Sequence, residues 1–381
     1  MTKEYSADGV KWLRGMEQIR LRPAMYIGGR GSSGLHQLVT ILLDDVLSEA
    51  LEGRCKKLTL TLNADGSICA EDEGRGISIE PHKQSGRSVL ESVFTFGASR
   101  IERHNGVRRS LFGMNVSLIT ALSESLVVET TDAGERYRMR FARGITEGEL
   151  ERLGPTKTSG TLIRFVPDRT IFESTARLDQ TQLVEELSGL AGLIPGLALG
   201  LVDSRTSTPF AVSFSCPRGL TDLVQVIAET PQLGTPIAIE SDGVRIAIQV
   251  DGSETERFVG FASYHRADVG THIEGLTEGL DRGFKDAARA LGLDDEVATR
   301  PRGLRVVVAI DIPYPYFEGL ERERLANPDA RDLVARVART GVLSWARDNA
   351  VEARALLISR VSGSCGLLGP LHPGGPETPC R

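Results

Sequence analysis

Residues 71–77 read EDEGRGI. Upstream, KKLTLTLN (56–63) alternates Leu58, Leu60 and Leu62 with polar partners, the pattern of a half-buried strand. NADGS (63–67) supplies turn chemistry, and ICAED (68–72) returns as the second strand of a hairpin. EDEGRGI therefore sits where a strand ends. A carboxylate there, Asp72, can accept hydrogen bonds from an exocyclic amine and a bound water, and Gly74 and Gly76 let backbone approach a flat ring without a Cβ clash. By itself D-x-G-x-G is an acidic turn. With the helix before it and TKTSGTLIRF (156–165) after it, it becomes a floor for a purine-like base, with Thr161 offering a hydroxyl from an adjacent strand.

That preceding helix spans Leu35–Leu51. Leu35, Leu38, Val39, Leu42, Val46 and Ala50 recur at three- and four-residue spacing and share a face. Asp45 and Glu49 flank the face, and Ile41 falls on the polar side, out of pattern for a surface helix. Downstream, SLVVETT (125–131) and RYRMRFA (136–142) predict a second hairpin broken at Asp132–Gly134, and GTLIRFV (160–166) another strand. These elements make a mixed α/β layer, predicted as a first domain over 1–215 with an N-terminal arm of about 20 residues. From Cys216-Pro217 the pattern changes. RGLTDLVQVIAE (218–229) reads as a helix, PIAIES (236–241) and VRIAIQV (244–250) as strands, 275–291 as a long helix, LRVVVAIDIP (304–313) as an apolar strand and 331–351 as a helix. A second α/β domain is predicted over 216–360. The Gly/Pro-rich 361–381 is expected to be a disordered tail.

The 381 residues hold enough chain for two or three domains, and 40% hydrophobic with 25% charged residues is the composition of a globular protein. A net charge of −6 argues against sequence-independent DNA binding over the whole surface. Five scattered cysteines and six histidines form neither a zinc signature nor a disulfide framework, which points to a reduced, cytoplasmic protein. The stretch Leu187–Val202 is uncharged but contains Pro195 and falls short of the roughly 20 apolar residues of a membrane span, so no membrane partner is expected.

Seven blocks carry a family resemblance: RLRPAMYIG (20–28), GLHQLV (34–39), EALEG (49–53), EDEGRGI, TALS (120–123), SGTLIRF (159–165) and GTHIEGL (270–276). In this order and spacing the chain resembles the ATPase-plus-transducer region of the bacterial gyrase B and topoisomerase IV B subunits, from about residue 10 to 360. The resemblance implies an α+β fold: a GHKL (Bergerat-type) α/β sandwich followed by a transducer domain of ribosomal-protein-like fold. The family's cleavage domain is not expected within this sequence, so DNA contact would be indirect. Asp72 matches the family's adenine-binding aspartate, Gly76 the glycine beside it, Thr161 the threonine supporting both, and Arg75 and Glu49 the neighbouring pair. Arg138 matches an arginine at the pocket mouth that aminocoumarin inhibitors contact; read from its strand alone, it is equally a charge on a solvated face beside Arg136 and Arg140.

The phosphate end departs from the family pattern. EALEG sets a register in which the water-polarising glutamate is Ile41 and the magnesium-binding asparagine is Asp45, which keeps an oxygen for Mg²⁺. General-base help of the kind Ile41 cannot give is worth about 100- to 10,000-fold. In the lid RRSLFGMN (108–115), Gly113 survives where Arg109, Ser110 and Asn115 have replaced glycines; Arg108 and Arg109 offer charge instead of backbone N–H groups. In YFEGLERERL (316–325) Arg322 stands where the transducer lysine would reach the γ-phosphate. Three altered phosphate-handling elements lead to the expectation of a catalytically dead homologue with no certain cofactor, Mg-ATP being doubtful. Such a protein would act by pairing with itself or with a topoisomerase B subunit. One alternative is a divergent, active ATPase using Asp45 or Asp44 with Arg108, Arg109 and Arg322; another is sequestration of ATP-site inhibitors such as aminocoumarins.

Overall fold

The computed structural model describes residues 16–83, 85–95, 103–104, 107–108, 116–228, 231–294, 300–319 and 323–358. The predicted 361–381 tail lies outside them. The chain divides into two compact units, one of residues 1–101, 112–180 and 202–210, the other of 102–111, 181–201 and 211–381.

In the first unit, α1 (Met16–Leu21) and α2 (Ser32–Leu51) precede β1 (Lys57–Leu62) and β2 (Ile68–Asp72), the predicted hairpin. Then come α3 (Val89–Thr95), α4 (Ser117–Leu122), β3 (Ser123–Asp132), β4 (Glu135–Ala142), β5 (Ile145–Pro155) and β6 (Thr161–Pro167). These six strands lie in the order β1–β2–β6–β3–β4–β5, each antiparallel to its neighbour. The β3–β4 turn places Ala133 and Gly134 at φ 50° and 79°, the two positive values a tight hairpin of matching twist requires. Alternation sorts the side chains cleanly. Leu126, Val128 and Thr130 of β3, Met139 and Phe141 of β4, and Thr161, Ile163 and Phe165 of β6 are buried, while their chain neighbours are more exposed. α4 is buried along its whole length and packs against α1, α2 and α3 as well as β3, β4 and β6.

Arg20 fastens α1 to this core. Its guanidinium donates to the Ala121 carbonyl at 2.7 Å and to Asp168 at 2.6 Å. Burial opposes the charge on Asp168, but hydrogen bonds from Arg20 and Thr170 hold its pKa at about 2.

α2 is less amphipathic than its apolar spacing suggests. Besides Leu35, Leu38, Val39 and Leu42, the residues Ile41, Leu43, Asp44 and Leu47 are also buried. Ile41, at 2% exposure, is packed into the protein and is no misplaced surface residue.

The second unit centres on a five-stranded sheet. Strands β7 (Gln232–Ser241), β8 (Val244–Asp251), β9 (Arg257–Ala262), β10 (His265–Arg266) and β11 (Leu304–Ile310) are arranged β7–β8–β11–β9–β10. β9 and β11 are parallel, and α7 (Thr271–Ala290) crosses between them. Of the remaining helices, α5 is Gln180–Leu193, α6 is Leu220–Val226, α8 is Pro328–Asp348 and α9 is Ala350–Ile358. α7 and α8 pack closely through Gly275 and Gly279. A Cβ on these would meet the carbonyls of Arg331 and Ala335 at 2.2 and 2.4 Å. Among the described residues no helix is long and apolar enough to cross a membrane.

Candidate functional site

The end of β2 and the start of β6 meet where the sequence places a base-binding floor. Glu71 pairs with Leu162, so Asp72 and Thr161 stand one step further along adjacent strands. Thr161 pairs in turn with Thr130 of β3. Thr161 is buried and Asp72 half-buried, facing the loop 73–79.

That loop is fixed by its own side chains. The Gly74 N–H donates to Asp72 Oδ1 at 2.7 Å, and the Ile77 N–H to Thr130 Oγ1 at 2.6 Å. The Ile79 N–H donates to Asp132 Oδ2 at 2.9 Å. Glu49 on α2 then ties the loop to the helix. Its carboxylate lies 3.2 Å from Arg75 and 3.0 Å from Arg54. The structure thus brings together Asp72, Gly76, Thr161, Arg75 and Glu49.

The glycines have a different need from the one read in the sequence. Gly76 sits at φ +81°, and a Cβ there would lie 2.1 Å from the Thr131 carbonyl. Gly160 sits at φ +136°, with its Cβ position 2.0 Å from the Asp72 carbonyl. Both positions let protein backbone close on protein backbone, which shapes the floor before any ligand arrives. Gly76→Ala is expected to cost about 1–3 kcal/mol through strain and this overlap. Urea denaturation measures it, and a loss under about 0.5 kcal/mol, the range of neutral surface changes, would contradict the packing described.

Arg138 is elsewhere. Residues directly opposite on antiparallel strands share a face, and Arg138 pairs with Glu129 of β3 and Glu151 of β5. That row alternates with the row of Thr161 and Thr130, so Arg138 stands on the other face of the sheet. There its guanidinium donates twice to Glu129, at 2.8 and 2.5 Å, and lies 3.5 Å from Glu151. The hydrogen bond it donates to Glu129 raises its pKa further. Arg136 and Arg140 belong to the same ladder, paired with Glu129 and Glu151.

At the phosphate end the structure describes less. Ile41 is buried and offers no proton acceptor, and Asp44 beside it is buried at 7% exposure. Asp45 lies in α2, and Arg108 in a two-residue strand with Val107, without their side chains being described. Arg109, Ser110, Gly113, Asn115 and Arg322 lie outside the described residues. No group of three or more His, Cys, Asp or Glu side chains among the described residues is placed to hold a metal.

Sequence reasoning missed Thr130, Asp132 and Gly160. Thr130 was visible in principle as a hydroxyl in the inward series Leu126, Val128, Thr130. Asp132 reads in the sequence as part of a turn, and its hydrogen bonds to Ser78 and Ile79 join residues 54 and 53 apart.

The family model for DNA gyrase B matches residues 219–362. The DNA gyrase B subunit of Archaeoglobus fulgidus is 35% identical over 370 residues, covering 93% of this chain and 58% of that protein. The type 2 topoisomerase B subunit of Aquifex aeolicus is 35% identical over 363 residues, covering 90% and 45%. The chain thus spans about half the length of these relatives. Among solved structures, the 43K ATPase domain of Thermus thermophilus gyrase B in complex with an aminocoumarin superposes with a TM-score of 0.72 at 28% identity. The match covers 91% of this chain and 93% of that one. The gyrase B protein of Myxococcus xanthus gives 0.71 at 29%, covering 91% and 99%.

These matches overturn the expectation of a catalytically dead homologue. They run the length of the chain, to proteins named as gyrase B subunits and to a domain named as an ATPase. The expectation rested on replaced side chains and ranked the substitute donors, Asp44, Asp45, Arg108, Arg109 and Arg322, as the alternative. Of its three altered elements, only position 41 falls among the described side chains, and the helix turn after it carries Asp44 and Asp45. The fold is that of the GHKL ATPase and transducer regions, and the chain belongs to the DNA gyrase B family of type II topoisomerase subunits.

Proposed function

We propose that this chain is the ATP-binding, ATP-hydrolysing part of a cytoplasmic type II topoisomerase B subunit. The observation that carries the reading is the braced floor, in which Asp72 and Thr161 end adjacent strands beneath a loop held by Glu49, Thr130 and Asp132. Asp72 accepts the exocyclic amine of adenine, and the Thr161 hydroxyl supports the same edge. Gly76 and Gly160, by letting backbone close on backbone, hold the floor in shape for a flat base. Magnesium bound with the nucleotide would neutralise phosphate charge, and Asp45 is the residue of α2 proposed to hold it.

With Ile41 at the family's glutamate position, the attacking water is oriented by a carboxylate one turn later, Asp44 or Asp45. The domains follow as 1–215 for nucleotide and 216–360 for transduction. The working form is a dimer, with itself or with another topoisomerase B chain.

Asp72→Asn is expected to weaken ATP binding about 10- to 100-fold, the range for a hydrogen bond to a charged group. Calorimetry of wild type and variant measures this, alongside phosphate release for wild type, Asp44→Asn and Asp45→Asn. Hydrolysis by the wild type that one aspartate variant abolishes fits the proposal. Neither saturable Mg-ATP binding nor phosphate release above background would end it.

A further inference from the structure

A cavity lies at the other end of β2 from Asp72. It opens beside the β1–β2 turn, with a volume of about 520 Å³, within the range of small-molecule sites. Its interior is apolar, lined by Leu35, Leu62, Ile68, Phe172, Ala176 and Leu178, all buried.

The walls are hydrogen-bonded in place. Asp65 accepts from the Ser67 N–H at 2.9 Å and from Arg164 at 2.5 Å, which sets the hairpin turn. The Glu173 N–H donates to the Arg30 carbonyl at 2.9 Å, and the Arg177 N–H to Ser32 Oγ at 3.0 Å. Arg205 grips Asp203 through Nε and Nη2, at 2.9 and 2.6 Å, and donates to the Leu178 carbonyl at 2.7 Å. A cavity bounded this way is preformed, and a ligand entering it has little chain to order.

The rim carries uncompensated positive charge. Arg164 and Arg205 are neutralised by Asp65 and Asp203. Arg177 donates its guanidinium to the carbonyls of Ser174 and Ala176, which carry no net charge. Arg169 makes no ion pair or hydrogen bond with the described residues. Against these two cations stands one carboxylate without an ion pair, Glu173.

We propose that this cavity binds an amphipathic organic monoanion. An aromatic ring or short acyl body fills the apolar interior, and a carboxylate, sulfonate or monoester phosphate meets Arg169 and Arg177. Glu173 repels a second negative charge. The site is separate from the nucleotide floor and does not depend on ATP binding there.

The test titrates the full chain with 8-anilinonaphthalene-1-sulfonate, followed by fluorescence, and with the uncharged N-phenyl-1-naphthylamine. The sulfonate is expected to bind saturably at one site, at least fivefold tighter than the uncharged probe. Arg169→Ala with Arg177→Ala, two exposed side chains, is expected to weaken the sulfonate at least fivefold and leave the uncharged probe unchanged. Asp72→Asn is expected to leave both unchanged, which separates this cavity from the nucleotide floor. Ala176→Trp, which fills the interior, should abolish both; if it does not fold, the arginine pair decides alone. Absence of saturable binding, or sulfonate binding indifferent to the two arginines, overturns the proposal.

Discussion

Arg305→Met is expected to destabilise the second unit by about 3–5 kcal/mol, the range for removing one partner of a buried ion pair. Arg305 is 1% exposed and Asp251 2%, and their side chains meet at 2.8 Å. The other donors are also used: Nη2 donates to Ser253 Oγ at 2.7 Å and Nη1 to the Thr255 carbonyl at 3.0 Å. The Ser253 N–H closes the set on Asp251 Oδ1 at 3.0 Å. Burial works against the charge on Asp251, but the bonds from Ser253 and Arg305 keep its carboxyl below the ordinary range. Methionine would match the bulk of arginine and leave a carboxylate buried without its cation, with the 251–255 turn freed from the strand. The decisive comparison is with Arg305→Met combined with Asp251→Leu, because replacing a whole buried pair by apolar residues is often neutral. Chemical denaturation should show the double variant less destabilised than Arg305→Met alone. A double variant worse than the single one would mean that the pair contributes through the shape of the turn and not through its charges.

The same pair marks where the sequence stopped being legible. LRVVVAIDIP was recognisable as a strand because its apolar run is short and rich in β-branched residues, and the structure makes Leu304–Ile310 buried throughout. Arg305 within it gave no hint of its partner, since Asp251 is 54 residues away and belongs to a different strand. Local patterns were recovered because they are set by local physics: the two hairpins followed from alternation and turn residues. β5 went unread, because ITEGELERLGP is exposed along nearly its whole length and offers no inward face to detect. Arg138 could not be assigned to a face without the register of β4 against β3 and β5, since a one-residue slip moves every side chain to the opposite side. Ile41 shows the converse case: out of pattern for a surface helix, it is packed into the protein. Its position on the helix wheel was correct, but whether the polar side of α2 meets solvent or protein depends on packing that periodicity does not encode.

Function was harder still, because activity was inferred from residues that are missing. A substituted position removes one donor, whereas turnover depends on whether any group reaches the water or the phosphate. Adjacent carboxylates at 44 and 45 on α2 leave that route open, and the family's ATPase domains align over nearly all of the chain.

Lowering the pH from 6.5 to 4 is expected to remove about 3 kcal/mol of stability through His272 alone. The imidazole opens α7 in the GTHIEGL block, is 0% exposed, and has neither ring nitrogen in hydrogen-bond geometry with the described residues. Burial dominates and lowers its pKa to about 4; the nearby Ala267 carbonyl, Asp268 and Glu274 oppose the shift without cancelling it. The sign follows from proton counting. Between the unfolded value of 6.5 and the folded value near 4, the unfolded chain binds a proton that the folded chain refuses, so each step down in pH favours unfolding. Above 6.5 both states are neutral and below 4 both are charged, so the loss is confined to that window. It is separable from Asp168, whose folded pKa of about 2 places its acid loss below the ordinary carboxylate value of 3.8. His272→Leu removes the titration, and although the tight fit against Gly260, whose Cβ position lies 2.5 Å from Nε2, gives the variant a packing cost, that cost does not vary with pH. The stability difference between wild type and His272→Leu should therefore shift in the variant's favour by about 3 kcal/mol as the pH falls from 6.5 to 4. A difference that stays constant across the window would show that the folded protein accepts the proton, and that the ring is better solvated than its burial implies.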